Sequence, residues 1–382
     1  MITYFKINQK ALVEDIKKLD VFIKTKSFIP YADYILFKSD GENIYISAMD
    51  IENILIIKLR GVSEILKSFE ICIENTFVKA LSSLECDICF NFNDKMEICQ
   101  LKFPLGEISI PAIPANDFPH IHNTGDLIFE IKENYLHEVI TKILPFVDND
   151  ILTSSNSIHI DYKDNTLRIG ARDNQSSCAT IIPLKAKEDT NIMLSKKSFQ
   201  ILLSLLSPES NKPIQVKELK NDIIFSVFNG FMSCRRMVYG EMNKANDFYR
   251  LSMGVASREG DIIEIIDRKF LLEQIHIATV FNNEINKILI INLERDKLIL
   301  EVEDNYSGRK SIQSVIVNFN HKGNTSKFIV DASHFTKFIR SIKKETFKIN
   351  IPLENGEGKE CIDKPMFCDD DGFIRLLGAL TY

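Results

Sequence analysis

Three lysines seven residues apart, Lys10, Lys17 and Lys24, are the first residues of this chain whose type and spacing suggest a chemistry. At about 100° per residue they fall on one line of a helix read over Gln9 to Lys24. The opposite stripe is apolar: Leu12, Ile16, Leu19, Phe22 and Ile23. Glu14 and Asp20 flank the ridge and weaken its field. A row of ammonium groups on a helix can touch phosphate oxygens, a contact that carries no sequence information and weakens with salt. A second such face is read on a helix of about Ser333 to Lys344. There Phe335, Phe338, Ile339 and Ile342 form the stripe, and Lys337, Arg340 and Lys344 lie on the polar side with no acid between. Lys79, Lys196 and Lys197 sit on further short helices whose exposed faces are neutral to basic. Helix by helix, the bland reading is that lysines solvate exposed faces. The placement of the acids favours the other reading. Asp40, Glu42, Asp161, Asp164, Glu294, Asp296, Glu301, Glu303 and the run Asp369 to Asp371 lie in hairpins and loops. A net charge of −6 argues against a general nucleic-acid binder, whereas basic helix faces suit a surface that touches phosphates without gripping them.

Other chemistries find less support. Cys86 and Cys89 form a CxxC, but no second pair stands at zinc-site spacing, and CDICFNF reads as a strand with buried cysteines. His120 and His122 in PHIHN read as part of a solvated linker. Neither a GxxxxGKS/T nor a GxGxxG loop occurs, nor GxSxG, HExxH or a kinase motif. No metal or cofactor is called for. An enzyme reading would need distant groups to converge in a cleft between repeats.

The elements that would carry these residues recur in order. A strand leads into a helix at YFKIN (Tyr4 to Asn8), IFEIKEN (Ile128 to Asn134) and IIEIID (Ile262 to Asp267). A hairpin follows and ends on Asp50, Asp173 and Asp304, and a second helix opens at Phe77, Phe199 and Phe335. These phenylalanines are 122 and 136 residues apart, a domain-sized period rather than the roughly 20 to 50 residues of a solenoid. The 382 residues therefore divide into three alike units, 1–124, 125–252 and 253–382. Hydrophobic content of 45% with 26% charged residues suits a folded core in each. Apolar runs such as ILII and ILLSLL are far short of the roughly 20 residues that span a bilayer. With no signal-peptide pattern at MITYFKINQK, the expected location is cytoplasmic and away from membranes.

Two segments resemble the bacterial sliding clamp family, the beta subunit of DNA polymerase III. SAMDIE (Ser47 to Glu52) is similar to the family's ATDLE, and IPAIPANDFP (Ile110 to Pro119) to its LPxxPAxDFP. The order and spacing of the whole chain resemble that family, as a clamp or a divergent paralogue of one. The resemblance implies an α+β fold of three tandem clamp domains, antiparallel sheets outside and two helices per domain inside, closed as a head-to-tail homodimeric ring around double-stranded DNA. It implies a non-enzymatic processivity factor, opened by a clamp loader, that tethers a polymerase and other partners through short peptide motifs. Lys10, Lys17, Lys24, Lys79, Lys196, Lys197, Lys337, Arg340 and Lys344 would then face the duplex. Ile108 and Ile110 on an edge strand would meet Val280 and Phe281 at the subunit interface. Arg172, Asn174, Gln175, Phe248, Leu377, Gly378, Ala379 and Leu380 would wall the partner-peptide cleft. At that cleft the sequence departs from the family: ATDGHRL is replaced by ARDNQSS, and the MPMRL terminus by LLGAL. These departures leave a rival expectation, a protein-interaction scaffold of clamp-like fold that does not encircle DNA.

Overall fold

The computed structural model describes residues 2–23, 31–81, 86–93, 95–150, 155–163, 165–184, 189–237, 260–281, 287–294, 296–304, 308–320, 327–352 and 366–378. Three successions of elements follow one another. The first is β1 (Ile2–Asn8), α1 (Gln9–Ile16), α2 (Asp20–Ile23), β2 (Tyr34–Ser39), β3 (Ile44–Met49), β4 (Asn53–Lys58), β5 (Val62–Ile65), β6 (Phe69–Glu74), α3 (Val78–Leu81), β7 (Asp87–Phe92), β8 (Ile98–Phe103) and β9 (Gly106–Pro114). The second is β10 (Asp126–Lys132), α4 (Glu133–Ile143), β11 (Ser157–Lys163), β12 (Thr166–Arg172), β13 (Ser176–Pro183), β14 (Thr190–Ser195), α5 (Lys196–Leu205), β15 (Pro213–Leu219), β16 (Asp222–Val227) and β17 (Gly230–Arg235). The third is β18 (Gly260–Ile265), α6 (Arg268–Ala278), β19 (Ile288–Glu294), β20 (Lys297–Asp304), β21 (Arg309–Asn320), β22 (Lys327–Asp331), α7 (Ala332–Ser341), β23 (Phe347–Pro352), β24 (Met366–Asp370) and β25 (Phe373–Leu377).

Local chemistry explains the switches from strand to helix. Asn8 ends β1 in an extended conformation and its side chain accepts from Ala11 N, capping α1. Asp267 does the same for Phe270 N at 2.8 Å before α6, and Asp331 for Ser333 N and His334 N before α7. Strands such as β19, ILIINLE, alternate half-buried and buried positions, the period of a pleated sheet with one face in the core.

The chain forms two compact units, Met1–His137 with Lys197–Arg236, and Glu138–Lys196 with Met237–Tyr382. The first holds a 13-stranded sheet in the order β10-β15-β16-β17-β4-β3-β2-β6-β9-β8-β7-β1-β5. Its core is rich in phenylalanine: Phe5 stacks on Phe90 at 4.3 Å and on Phe69 at 5.4 Å, with Phe37 and Phe92 packed around them. Ala115 and Phe118, from the IPAIPANDFP segment, bury against Leu36 and Cys72. The second unit holds a 12-stranded sheet in the order β14-β11-β12-β13-β25-β24-β23-β18-β21-β20-β19-β22. α6 and α7 pack on its core through Leu271, Ile275, Phe335, Phe338 and Ile339. Arg375 on β25 is wholly buried, and its guanidinium donates to Ser341 Oγ, Ser341 O and Phe373 O, which ties the end of α7 to the sheet.

Each unit contains one seam where the last strand of one succession extends the sheet of the succession before it. In the first unit β17 runs antiparallel to β4, with Gly230 opposite Ile57 and Cys234 opposite Asn53. In the second β25 runs antiparallel to β13, with Phe373 opposite Thr180 and Leu376 opposite Ser177.

Several expectations are corrected. The helix read over Gln9 to Lys24 is interrupted by a 3-10 turn, Lys17–Leu19, whose tighter winding breaks the straight line of lysines. Leu12, Ile16, Leu19 and Phe22 are nevertheless buried as expected. α7 stops at Ser341, so Lys344 lies beyond it rather than on its face. One expectation stands in part: β9 lies between β6 and β8 over Ala112–Pro114, while its Gly106–Pro111 half, which carries Ile108 and Ile110, pairs with β8 alone among the described residues. Ile110 and Leu377 are buried in the core of their own units, because each points to the inner face of its strand.

Gly230 shows how closely the first seam is packed: a Cβ there would stand 1.8 Å from Ile56 O. Gly230→Ala is expected to destabilise the protein by about 3 kcal/mol in denaturant unfolding, through overpacking against backbone. Gly308→Ala, where a Cβ meets open space, is expected to cost about 1 kcal/mol, from its left-handed φ alone.

Candidate functional site

Both seams are fastened by the same turn. Asp50 follows β3, its N–H donates to Asn53 O at 2.9 Å, and its Oδ1 accepts from Glu52 N at 2.8 Å and Asn53 N at 2.7 Å. Asp173 follows β12 identically: its N–H donates to Ser176 O at 2.9 Å, and its Oδ1 accepts from Gln175 N at 2.9 Å and Ser176 N at 2.7 Å. The next strand end then closes on each turn. Arg235 N donates to Glu52 O, and Gly378 N to Gln175 O, both at 2.7 Å. The second carboxylate oxygen faces a lysine on the following succession's second helix. Lys197 on α5 lies 2.8 Å from Asp50, and Lys337 on α7 is bonded to Asp173, with His334 Nδ1 3.4 Å away. Burial raises the Asp173 pKa, but the bonds from His334, Lys337 and Gln175 N outweigh it and hold the carboxyl well below its usual range. The Asp173 pair borders a cavity of about 410 Å³ that Lys196 and Lys287 also line.

A second recurring feature joins the first helix of the first and second successions to the hairpin turn before a last strand. Lys18 follows α1, and its ammonium lies over the ring of Phe228, at the turn between β16 and β17, with Arg60 5.0 Å from the same ring. Lys142, at the equivalent position of α4, lies 3.9 Å from Asp371, at the equivalent position of the turn between β24 and β25. Phe228 and Asp371 both adopt left-handed backbone conformations. In α6 the same position is Ile277, 46% exposed, and the corresponding turn between β8 and β9 is Pro104–Leu105, with Leu105 99% exposed.

No protein-family model matches the sequence, and no curated protein matches it. Solved structures do. The DNA polymerase sliding clamp of Bacillus subtilis superposes over all of both chains with a TM-score of 0.85 and 11% identity. The sliding clamp of Pseudomonas aeruginosa bound to griselimycin gives 0.84 at 16%, and the DNA polymerase III beta subunit of Thermotoga maritima 0.82 at 16%, again over all of both chains. The chain has the sliding-clamp fold. The low identities explain why only SAMDIE and IPAIPANDFP carry a resemblance in sequence.

On this clamp fold the candidate residues separate by what surrounds them. Lys10, Lys17 and Arg340 are exposed. Lys24 and Phe248 lie outside the described residues, as do Ala379 and Leu380 and the side chains of Lys79 and Phe281. Lys196 is half-buried and donates to Val147 O at 3.0 Å and Asn149 Oδ1 at 2.7 Å. Lys197 and Lys337 serve the seam turns, and Lys344 lies 3.1 Å from Asp371. These four lysines are engaged within the chain, where the sequence reading has them unpartnered. Arg172, Asn174, Gln175 and Gly378 come together at the second seam, and Leu377 is buried beneath them rather than walling a groove. Ile108 is half-buried, and Val280 is 63% exposed.

Asp50 and Asp173 stood out in sequence only as hairpin ends; the signal for their role was an Asn or Ser three residues on. Lys18 carried no signal, since its partner Phe228 lies 210 residues away. Burial lowers the Lys18 pKa to about 8, helped by Arg60 and opposed by Asp15 and Glu14. Between that value and its ordinary 10.5 the unfolded chain binds the extra proton, so stability from this group rises with pH across that window. Lysine-selective NMR titration is expected to place Lys18 near 8, and Phe228→Ala to move it toward its ordinary value. Titration with the bulk lysines in the unaltered protein would contradict this burial.

Proposed function

We propose that the chain is a DNA polymerase processivity factor: a homodimeric ring of three clamp domains per subunit, 1–124, 125–252 and 253–382, that encircles duplex DNA. The observation that carries the reading is a third seam whose two halves find no partner among the described residues. The Arg309–Ile316 stretch of β21 pairs with β20 alone among the described residues, where the equivalent β4 and β13 each receive a last strand. The Gly106–Pro111 stretch of β9 is the matching last strand without a second neighbour among the described residues. Unpaired strand edges of this kind invite a second chain. Exposed apolar groups stand at both ends: Leu105 on one, and Ile277, Val280, Ile312 and Ile316 on the other. A head-to-tail contact of β9 with the β21 of another copy would cover both, a heterologous interface that closes when the rotation allows.

Such a ring holds DNA by topology, so its phosphate contacts can stay weak. Lys10, Lys17 and Arg340 would supply them, non-specifically and with the steep salt dependence of counterion release. A clamp loader would open the ring, and a polymerase would dock by a short peptide on the second seam near Arg172, Asn174, Gln175 and Gly378. The protein would act in the cytoplasm and would itself catalyse nothing.

The second reading, a scaffold of clamp fold that does not encircle DNA, is favoured by the engagement of Lys196, Lys197, Lys337 and Lys344 within the chain. Loading on nicked circular DNA by a clamp loader separates the two. The ring is expected to stay on the circle and be lost when the circle is linearised; equal retention on both forms sinks it. Leu105→Glu combined with Ile277→Glu is expected to give a folded monomer by light scattering, because both side chains are exposed in the single chain. An unchanged dimer would remove these residues from the interface.

A further inference from the structure

The seam turns do more than join strands. In the second unit Asp173 holds both the backbone of Gln175 and Ser176 and the basic side of α7, which Ser176 Oγ also reaches at His334 Nδ1, 3.3 Å away. Its Oδ1 fixes the turn, and its Oδ2 takes Lys337, with Ser176 Oγ 3.0 Å from both oxygens. Gln175 O in turn receives Gly378 N, where β25 ends. A chain of direct bonds therefore runs from the ammonium of Lys337 to the residues that face the proposed peptide groove. Lys337 is not sealed in: it borders the cavity it shares with Lys196, Lys287 and His334, open to an anion from that side. The same construction stands in the first unit, with Asp50, Lys197, Glu52 and Arg235 in the same relation. Its recurrence at both seams argues that the bond to the helix belongs to the turn's design rather than to one accidental ion pair.

We propose that Asp173 is the positioning residue of the Asn174–Gln175 wall, and that it links the basic face of α7 to the partner groove. A polyanion such as duplex DNA that draws Lys337 toward its phosphates removes a charged partner from Asp173. The turn then loosens, and a peptide that needs the wall in place binds more weakly. By linkage the reverse holds, and bound peptide lowers the affinity of Lys337 for the polyanion by the same factor. The groove end of this inference rests on the docking site proposed above; the link from Lys337 to the turn does not.

Asp173→Asn keeps an acceptor for the turn while removing the charge, and Lys337→Met removes the ammonium from a partly exposed helix position, so both are expected to fold. Hydrogen exchange followed by mass spectrometry on the segment 172–178 is the first readout. Each variant is expected to speed exchange there about tenfold, as loss of a charge-assisted bond implies, and the double variant no further than either alone. Lys197→Met is expected to speed the segment around Glu52 and Asn53 and to leave 172–178 unchanged, which separates a local effect from general loosening. Exchange in 172–178 within about twofold of the unaltered protein after Lys337→Met, or additive effects in the double variant, would overturn the link. The second readout titrates the Gln- and Leu-rich peptide motif of clamp partners, with and without a short linear duplex. Weakening by the duplex that Lys337→Met abolishes is expected. Weakening that persists in Lys337→Met would overturn the role of this lysine. If the unaltered protein binds no peptide, the groove reading fails and takes the peptide half of the inference with it, while the exchange result still decides whether Asp173 positions the turn.

Discussion

A strand at the edge of a sheet presents a row of backbone N–H and C=O groups that must find partners in water, in another strand, or in another chain. Two of the edges in this clamp fold are met inside the chain, where β17 lies along β4 and β25 along β13. Much else follows from those pairings. They place Gly230 against Ile56 O so closely that no side chain fits, and they bring Arg235 N and Gly378 N onto the turns of Asp50 and Asp173. They also carry each hairpin turn to the first helix of the preceding succession, where Phe228 meets Lys18 and Asp371 meets Lys142.

The charges are organised around the same seams. Four of the lysines that suggested a phosphate-facing surface instead meet carboxylates or carbonyls near a seam; burial of Asp50 and Asp173 strengthens the bonds of Lys197 and Lys337, whereas the Lys344 pair with Asp371 is exposed. Of the candidate phosphate-facing residues whose side chains are described, Lys10, Lys17 and Arg340 are the exposed ones not placed in an ion pair above. With a net charge of −6, that distribution suits a protein retained by topology better than one retained by affinity.

How much of this could be read beforehand depended on whether the determinants were local. The buried stripe of Leu12, Ile16, Leu19 and Phe22, the helix starts at Asn8 and Asp331, and the order of strands all follow from periodicity and capping over a few residues. The IPAIPANDFP segment was visible because its motif is local, and its Ala115 and Phe118 join one buried cluster with Leu36 and Cys72. The duties of Lys196, Lys197 and Lys337 were not visible, since their partners are set by long-range pairing. Lys337 and Asp173 are 164 residues apart in sequence. Burial of Leu377 was missed for a related reason: β25 has β13 on one side and β24 on the other, so a residue near the chain's end behaves as core.

We propose that β9 and β21, each with a stretch open on one side among the described residues, are the two halves of one more seam made between copies. Carrying the register of β17 on β4 across the equivalent strands sets Ile108 opposite Ser311 and Ser109 opposite Lys310. Directly opposite residues of an antiparallel pair bring their Cβ atoms to about 5 Å, near enough for a disulfide after small adjustment. The decisive measurement is oxidation of a variant carrying Ile108→Cys and Ser311→Cys, resolved on a denaturing gel without reductant. The account predicts a covalent dimer that reductant dissolves, and little linkage when Ser311→Cys is exchanged for Ile316→Cys, several residues out of register. A protein that stays monomeric, or that links as well through position 316 as through 311, would contradict it.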